Sequence, residues 1–170
     1  FVYHLAPLTR QELGNTFQLA EALHFGTLPK IYSYQTEEDK KDYLNAYANT
    51  YLREEILSEG IVRRLEGFRN FLIIAAVQNG EYLSFENMAQ EVGVSAPTVK
   101  SYFEILEDTL VGFLLPAYRR SLRKRQRTHP KFYFFDPGVK RALSNELDIP
   151  LQPGTSAYGK AFEHFWILEI

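Results

Sequence analysis

Cysteine is absent from the 170 residues, which removes disulfides and thiolate metal sites and fits a reducing compartment. No apolar run approaches the roughly 20 residues needed to cross a bilayer. The longest runs only from Phe71 to Val77, and no charged segment followed by an apolar stretch opens the chain. A membrane is therefore not expected as a partner, and the cytoplasm is the expected location. The phosphate-binding pattern G-x-x-x-x-G-K-[ST], the dinucleotide pattern G-x-G-x-x-G and the zinc pattern H-E-x-x-H are all missing. No serine sits in a G-x-S-x-G turn. His4, His24, His129 and His164 are too scattered for a metal-ligand pattern and read as surface or packing residues. The chain is expected to be no enzyme, with no catalytic residue, no metal and no cofactor of its own.

What is present is apolar and aromatic. Hydrophobic residues make up 45% of the chain, with thirteen Phe and eleven Tyr, enough for one domain or two small ones whose cores are fixed by ring burial. The net charge of −2 hides a strong partition. Residues 119 to 131 carry Arg119, Arg120, Arg123, Lys124, Arg125, Arg127 and Lys131 with no acid, leaving twelve cations against twenty-one acids elsewhere. The body is acidic and one segment is cationic.

Along the chain, Thr9 and Glu12 have the spacing of a capping box, and Gly14-Asn15 interrupts that short turn. Phe17, Ala20, Leu23 and His24 recur at helical spacing up to Gly26. Thr36 followed by Glu37, Glu38 and Asp39 is a cap with acids in the first turn, where the helix dipole favours them. Behind it Tyr43, Leu44, Tyr47, Tyr51, Leu52 and Ile56 predict one long helix to Gly60. Val62, Leu65, Phe68, Phe71, Leu72, Ala75 and Ala76 predict a second, stopping at Asn79-Gly80.

Leu83 to Tyr102 is the most telling stretch. Ser84 is placed to cap a short helix bearing Phe85, Met88, Ala89 and Val92, Gly93 supplies the tight turn, and Ser95 caps the next helix with Pro97 in its first turn. Ala89 lets the two helices approach and Val99 fills their crossing, which is the pattern of a helix-turn-helix. The N-terminal part of a recognition helix meets base edges, so Ala96, Thr98, Lys100 and Ser101 are its candidates. Only Lys100 among them is basic, and Glu104, Glu107 and Asp108 follow. Next, Val111 to Leu115 and Lys131 to Phe135 are two β-prone runs flanking the cationic segment. Paired, they make the hairpin wing of a winged helix. Its cations Arg119, Arg120, Arg123, Lys124, Arg125 and Arg127 are placed to neutralise phosphates. The competing partner for this segment is an acidic protein surface, including a second copy of the chain.

Asp136, ahead of Pro137-Gly138, reads as the cap of a short helix, and Glu163 as a solvated helix glutamate. The latter's helix is read with Phe162, Phe165, Trp166 and Leu168 on its other face.

Several segments together carry a family resemblance: PLTRQEL, LHFGTLPKIY, TYLREEI, S-x-x-T-V-x-x-Y with the following LEDT, PKFYFFDPGV and YGKAFEHF. In order and spacing they resemble the domain that follows the nucleotide-binding core in bacterial and archaeal AAA+-type ATP-binding proteins. The resemblance implies a P-loop ATPase on the N-terminal side, with ATP and magnesium belonging to that parent protein. It also implies a restriction-endonuclease-like part after the winged helix, with Glu163 matching a glutamate on that part's first helix. Phe1 in place of Met and the apolar ending AFEHFWILEI fit a segment of a longer protein.

The expected fold is mainly α: a helical region at 1–59 following the ATPase core, a winged helix-turn-helix with a small β-hairpin wing at 60–136, and the start of a restriction-endonuclease-like domain at 137–170. The expected function is a non-catalytic region that binds DNA through Thr98, Lys100, Ser101 and the wing cations. The alternative is an interaction module that packs on its own N-terminal ATPase core or mediates homo-oligomer assembly.

Overall fold

The computed structural model describes residues 6–51, 65–116 and 129–170. The chain is mainly helical with one two-stranded antiparallel sheet among these residues. It divides into two compact units, Phe1–Tyr51 with Phe135–Ile170, and Leu52–Phe134.

In the first unit α1 (Arg10–Leu13) opens on the capping box read from sequence. The Thr9 backbone N–H donates to Glu12 Oε2 at 2.8 Å and the Glu12 N–H donates back to Thr9 Oγ1 at 3.3 Å. A single 3-10 turn, Gly14–Thr16, then separates it from α2 (Leu19–Phe25). Thr36 caps α3 (Glu37–Ala46), its Oγ1 accepting the Asp39 N–H at 3.1 Å.

The long helix predicted to run from there to Gly60 is helical as far as Tyr51, but its α winding ends at Ala46. The backbone widens into a π-helix over Tyr47–Tyr51, with the Tyr47 N–H shared between the carbonyls of Tyr43 and Leu44. Residues 52–64 lie outside the described residues. Ring contacts accompany the change of winding: Tyr34, Tyr43, Tyr47 and Phe135 follow one another at centroid separations of 5.6, 6.1 and 6.3 Å.

The second unit holds α4 (Leu65–Val77), α5 (Phe85–Val92), α6 (Ala96–Asp108), β1 (Gly112–Leu115) and β2 (Lys131–Phe134). Its core is built from rings. Phe68 meets Tyr102 edge-on at 5.0 Å, Phe71 meets Phe103 edge-on at 4.8 Å, and Phe103 continues to Phe132 at 4.9 Å. Such pairs contribute about 0.5–1.5 kcal/mol each beyond simple burial.

The remaining helices, α7 (Pro137–Leu143) and α8 (Ser156–Leu168), belong to the first unit. On α8, Phe165 is buried with Ala22 and Leu23 and stacks on Phe17 at 5.7 Å. The reading that set Phe162, Phe165, Trp166 and Leu168 together on the face away from Glu163 is corrected here, since Phe162 and Trp166 are exposed as Glu163 is. Phe162 and Trp166 are four residues apart and share a stripe that turns outward, 38% and 50% exposed. No helix among the described residues is long and apolar enough to cross a membrane.

Candidate nucleic-acid interface

Two serines set the geometry of the α5–α6 pair. Ser84 Oγ accepts the Asn87 N–H at 3.3 Å, and Ser95 Oγ accepts the Thr98 N–H at 3.3 Å with Pro97 in the first turn. Between them Gly93 sits at φ 78°, ψ 33°, and the N–H groups of Gly93 and Val94 both donate to the Ala89 carbonyl at 3.0 Å. A residue with a Cβ pays roughly 1–2 kcal/mol to adopt this left-handed conformation, which is why glycine occupies the turn. Met88, Ala89, Val92 and Val99 are buried where the helices meet.

Burial of Val99, Tyr102, Phe103, Ile105 and Leu106 fixes the rotation of α6. Its outward stripe is then Pro97, Lys100, Ser101, Glu104 and Asp108, all exposed. Thus the structure presents Lys100 and Ser101 together, one turn from Glu104 and two from Asp108. Thr98 is only half-exposed, and its hydroxyl lies 2.7 Å from Ser95 Oγ, engaged in the cap. Glu107, read with its neighbours as an acid that would repel phosphate, is used differently. Its Oε1 accepts the Leu114 backbone N–H at 2.8 Å and so ties α6 to β1.

The hairpin forms between the two runs expected of it. Gly112 pairs with Phe134, Phe113 with Tyr133, Leu114 with Phe132 and Leu115 with Lys131. Residues 79–83 run along the other edge of β2. The Leu83 N–H donates to the Pro130 carbonyl and the Gly80 N–H to the Phe132 carbonyl, both at 2.8 Å, and Tyr82 forms a β-bridge with Lys131. Asn79 Oδ1 accepts the Phe134 N–H at 2.9 Å. The six candidates Arg119, Arg120, Arg123, Lys124, Arg125 and Arg127 lie outside the described residues, in the segment that joins β1 to β2.

Tyr82 was not a candidate on sequence, yet it is 68% exposed, with Lys131 Nζ 5.4 Å from its ring centroid. The pairing that places it spans almost fifty residues, so no local signal marked it.

Two acids and the histidines complete the survey. Asp136 is fully buried as the N-cap of α7, and Glu163 lies on the exposed face of α8. His164 is buried and His129 exposed, while His4 lies outside the described residues. His24 is half-buried, and its Nε2 is 2.8 Å from the Leu147 carbonyl, an acceptor only, so Nε2 carries the proton. Burial lowers its pKa. Among the described residues no three of His, Asp and Glu are grouped to hold a metal ion.

Residues 16–149 match the model of a family described as Domain of unknown function (DUF8612), well over half of the chain. The chain belongs to DUF8612. The DUF8612 span takes in α2 to α7, with the α5–α6 pair and the hairpin inside it. This DUF8612 chain is also similar to an uncharacterised protein of Mycobacterium bovis and to one of Mycobacterium tuberculosis, 27% identical to each over 162 residues. Those residues cover 93% of the chain but 36% of each relative, so the chain spans about a third of the length of the curated relatives it matches. No solved structure matches it.

Proposed function

We infer that this chain is the non-catalytic, DNA-binding region of a longer AAA+-type ATP-binding protein. In this reading α4 to α6 and the hairpin act as a winged helix. Phosphate contact by the hairpin segment supplies most of the affinity, and Lys100 and Ser101 at the start of α6 supply a smaller contribution.

One observation carries the reading. The two strands of the hairpin flank twelve residues, 117–128, that hold six cations and no acid, in a chain whose net charge is −2. Positive charge is gathered in one segment of an otherwise acidic chain. Each phosphate neutralised there releases counterions, which drives association without reading sequence. The α5–α6 pair supports the reading, because its tight Gly93 turn and buried Val99 leave Lys100 and Ser101 on an outward stripe. The greater length of the relatives supports placing the chain within a larger protein, to which ATP and magnesium would belong.

Fluorescence anisotropy of the full chain with labelled duplex DNA tests this. Arg123, Lys124, Arg125 and Arg127 changed together to Ala are expected to lower affinity by at least tenfold at 100 mM salt. Equal binding by the variant and the unaltered chain, or none by either, contradicts it. In the latter case self-association of the chain, abolished by the same substitutions, would identify an interaction module instead.

A further inference from the structure

The sheet of the second unit is covered on both faces along Phe132, Tyr133 and Phe134, all buried, and opens at its Lys131 end. Phe132 and Phe134 alternate inward along β2 and are buried, with Phe132 against Phe103. Lys131 belongs to the opposite face. Leu115 is its register partner on β1, and Tyr82 is its bridge partner on the other side. Residues directly opposite one another in an antiparallel ladder project to the same face. Tyr82, Lys131 and Leu115 therefore form one row across the sheet, and they form its last row before residues 117–128. Leu115 is 38% exposed at one end of that row and Tyr82 68% exposed at the other, with Lys131 between them.

We propose that Tyr82 is a stacking platform for an unpaired nucleobase, so that the chain prefers duplex DNA with a single-stranded overhang to blunt duplex. This rests on the reading that the chain binds DNA. A tyrosine ring so open to solvent offers a flat apolar surface that any base can cover, because every base has a π-face. Inside a duplex those faces are already stacked on neighbouring pairs; an unpaired base is free to move onto the ring. Lys131 places an ammonium over one face of the same ring, which adds positive charge where a nucleotide would lie. Charge complementarity with the adjoining segment, cationic without an acid, selects a polyanion over an apolar protein surface as the occupant.

The test compares a blunt 20-base-pair duplex with the same duplex carrying an eight-nucleotide overhang, by anisotropy with the full chain. The unaltered chain is expected to bind the overhang form about tenfold more tightly. Tyr82→Ala should abolish that preference, bringing overhang affinity down to that of the blunt duplex, and Tyr82→Phe should retain it because the ring remains. An unaltered preference in Tyr82→Ala, or no preference in the unaltered chain, overturns the proposal. If Arg123, Lys124, Arg125 and Arg127 changed to Ala still cost affinity for both DNAs, the DNA-binding reading survives that failure. Absence of DNA binding by the unaltered chain overturns both. A thermal melt of Tyr82→Ala matching the unaltered chain assigns the change in preference to the ring rather than to folding.

Discussion

The carboxylate of Asp136 accepts the Thr27 backbone N–H through Oδ2 at 2.8 Å, while its Oδ1 accepts the Val139 N–H at 2.9 Å. One buried side chain thereby joins the turn after α2 to the start of α7, two segments more than a hundred residues apart. Gly26 lines the same spot at φ 74°, and a Cβ there would overlap the carboxylate.

Burial pushes the Asp136 pKa up to about 6, against the pull of its backbone N–H donors. The folded state therefore holds this proton more tightly than the unfolded chain, whose value is 3.8. Stability from this group is greatest below pH 4 and falls, by about 3 kcal/mol, as pH rises to 6. Asp136→Asn should destabilise at every pH, because its amide NH2 faces a backbone donor. It has no proton to lose, however, so its deficit should be larger at pH 4.5 than at pH 7. Urea melts of both proteins at the two pH values check this; a deficit independent of pH contradicts it.

Glu107 acts as an acceptor for a strand rather than as a free acid. Glu107→Ala leaves the Leu114 N–H without its acceptor and is expected to cost about 1–2 kcal/mol. Glu107→Gln keeps an acceptor oxygen and should cost less than half as much. Equal losses in urea melts would show that the charge, not the hydrogen bond, is what matters.

Leu110 terminates α6 at φ 58°, in the position glycine usually fills. The Val111 N–H donates to the Leu106 carbonyl at 2.8 Å and the Leu110 N–H to the Glu107 carbonyl at 3.1 Å, closing a Schellman motif. Its side chain is exposed, so little packing is lost on removing it. Leu110→Gly should raise stability by about 0.5–1 kcal/mol, relief of the left-handed strain exceeding the added flexibility of the unfolded chain. A lower melting temperature would contradict that balance.

Lys100 and Glu104 lie one turn apart on the outward stripe of α6. If that stripe meets DNA, Lys100→Ala weakens binding several-fold across unrelated sequences, the mark of a phosphate contact. Glu104→Gln strengthens binding by removing a repelled charge. Anisotropy titrations unchanged by both substitutions would take α6 out of the interface.

Local chemistry made much of this fold legible. Thr9, Thr36, Ser84, Ser95 and Asp136 all cap the helices assigned to them, because a cap depends on residues three apart. The hairpin was legible because Val111 to Leu115 and Lys131 to Phe135 are β-prone on both sides of one polar segment. The π-helix at Tyr47–Tyr51 was not, since its tyrosines keep a helical spacing whichever carbonyls their N–H groups choose. Phe162 and Trp166 look like core residues by type, and only the packing of Phe165 shows which side of α8 is turned inward. In the candidate site Lys100 and Ser101 followed from the Ser95 cap and the Val99 stripe. Tyr82 and the clamp by Glu107 did not, because each depends on which strand lies beside it.

The account rests on electrostatic contact between the cationic segment and DNA phosphates, and the salt dependence of duplex binding measures that contact most directly. Plotted as log affinity against log salt, the slope is about −0.9 for each phosphate neutralised. The full chain is expected to show a slope of about −4 or steeper, and the variant with Arg123, Lys124, Arg125 and Arg127 changed to Ala one shallower by about 3. Slopes that coincide for the two proteins would contradict the account.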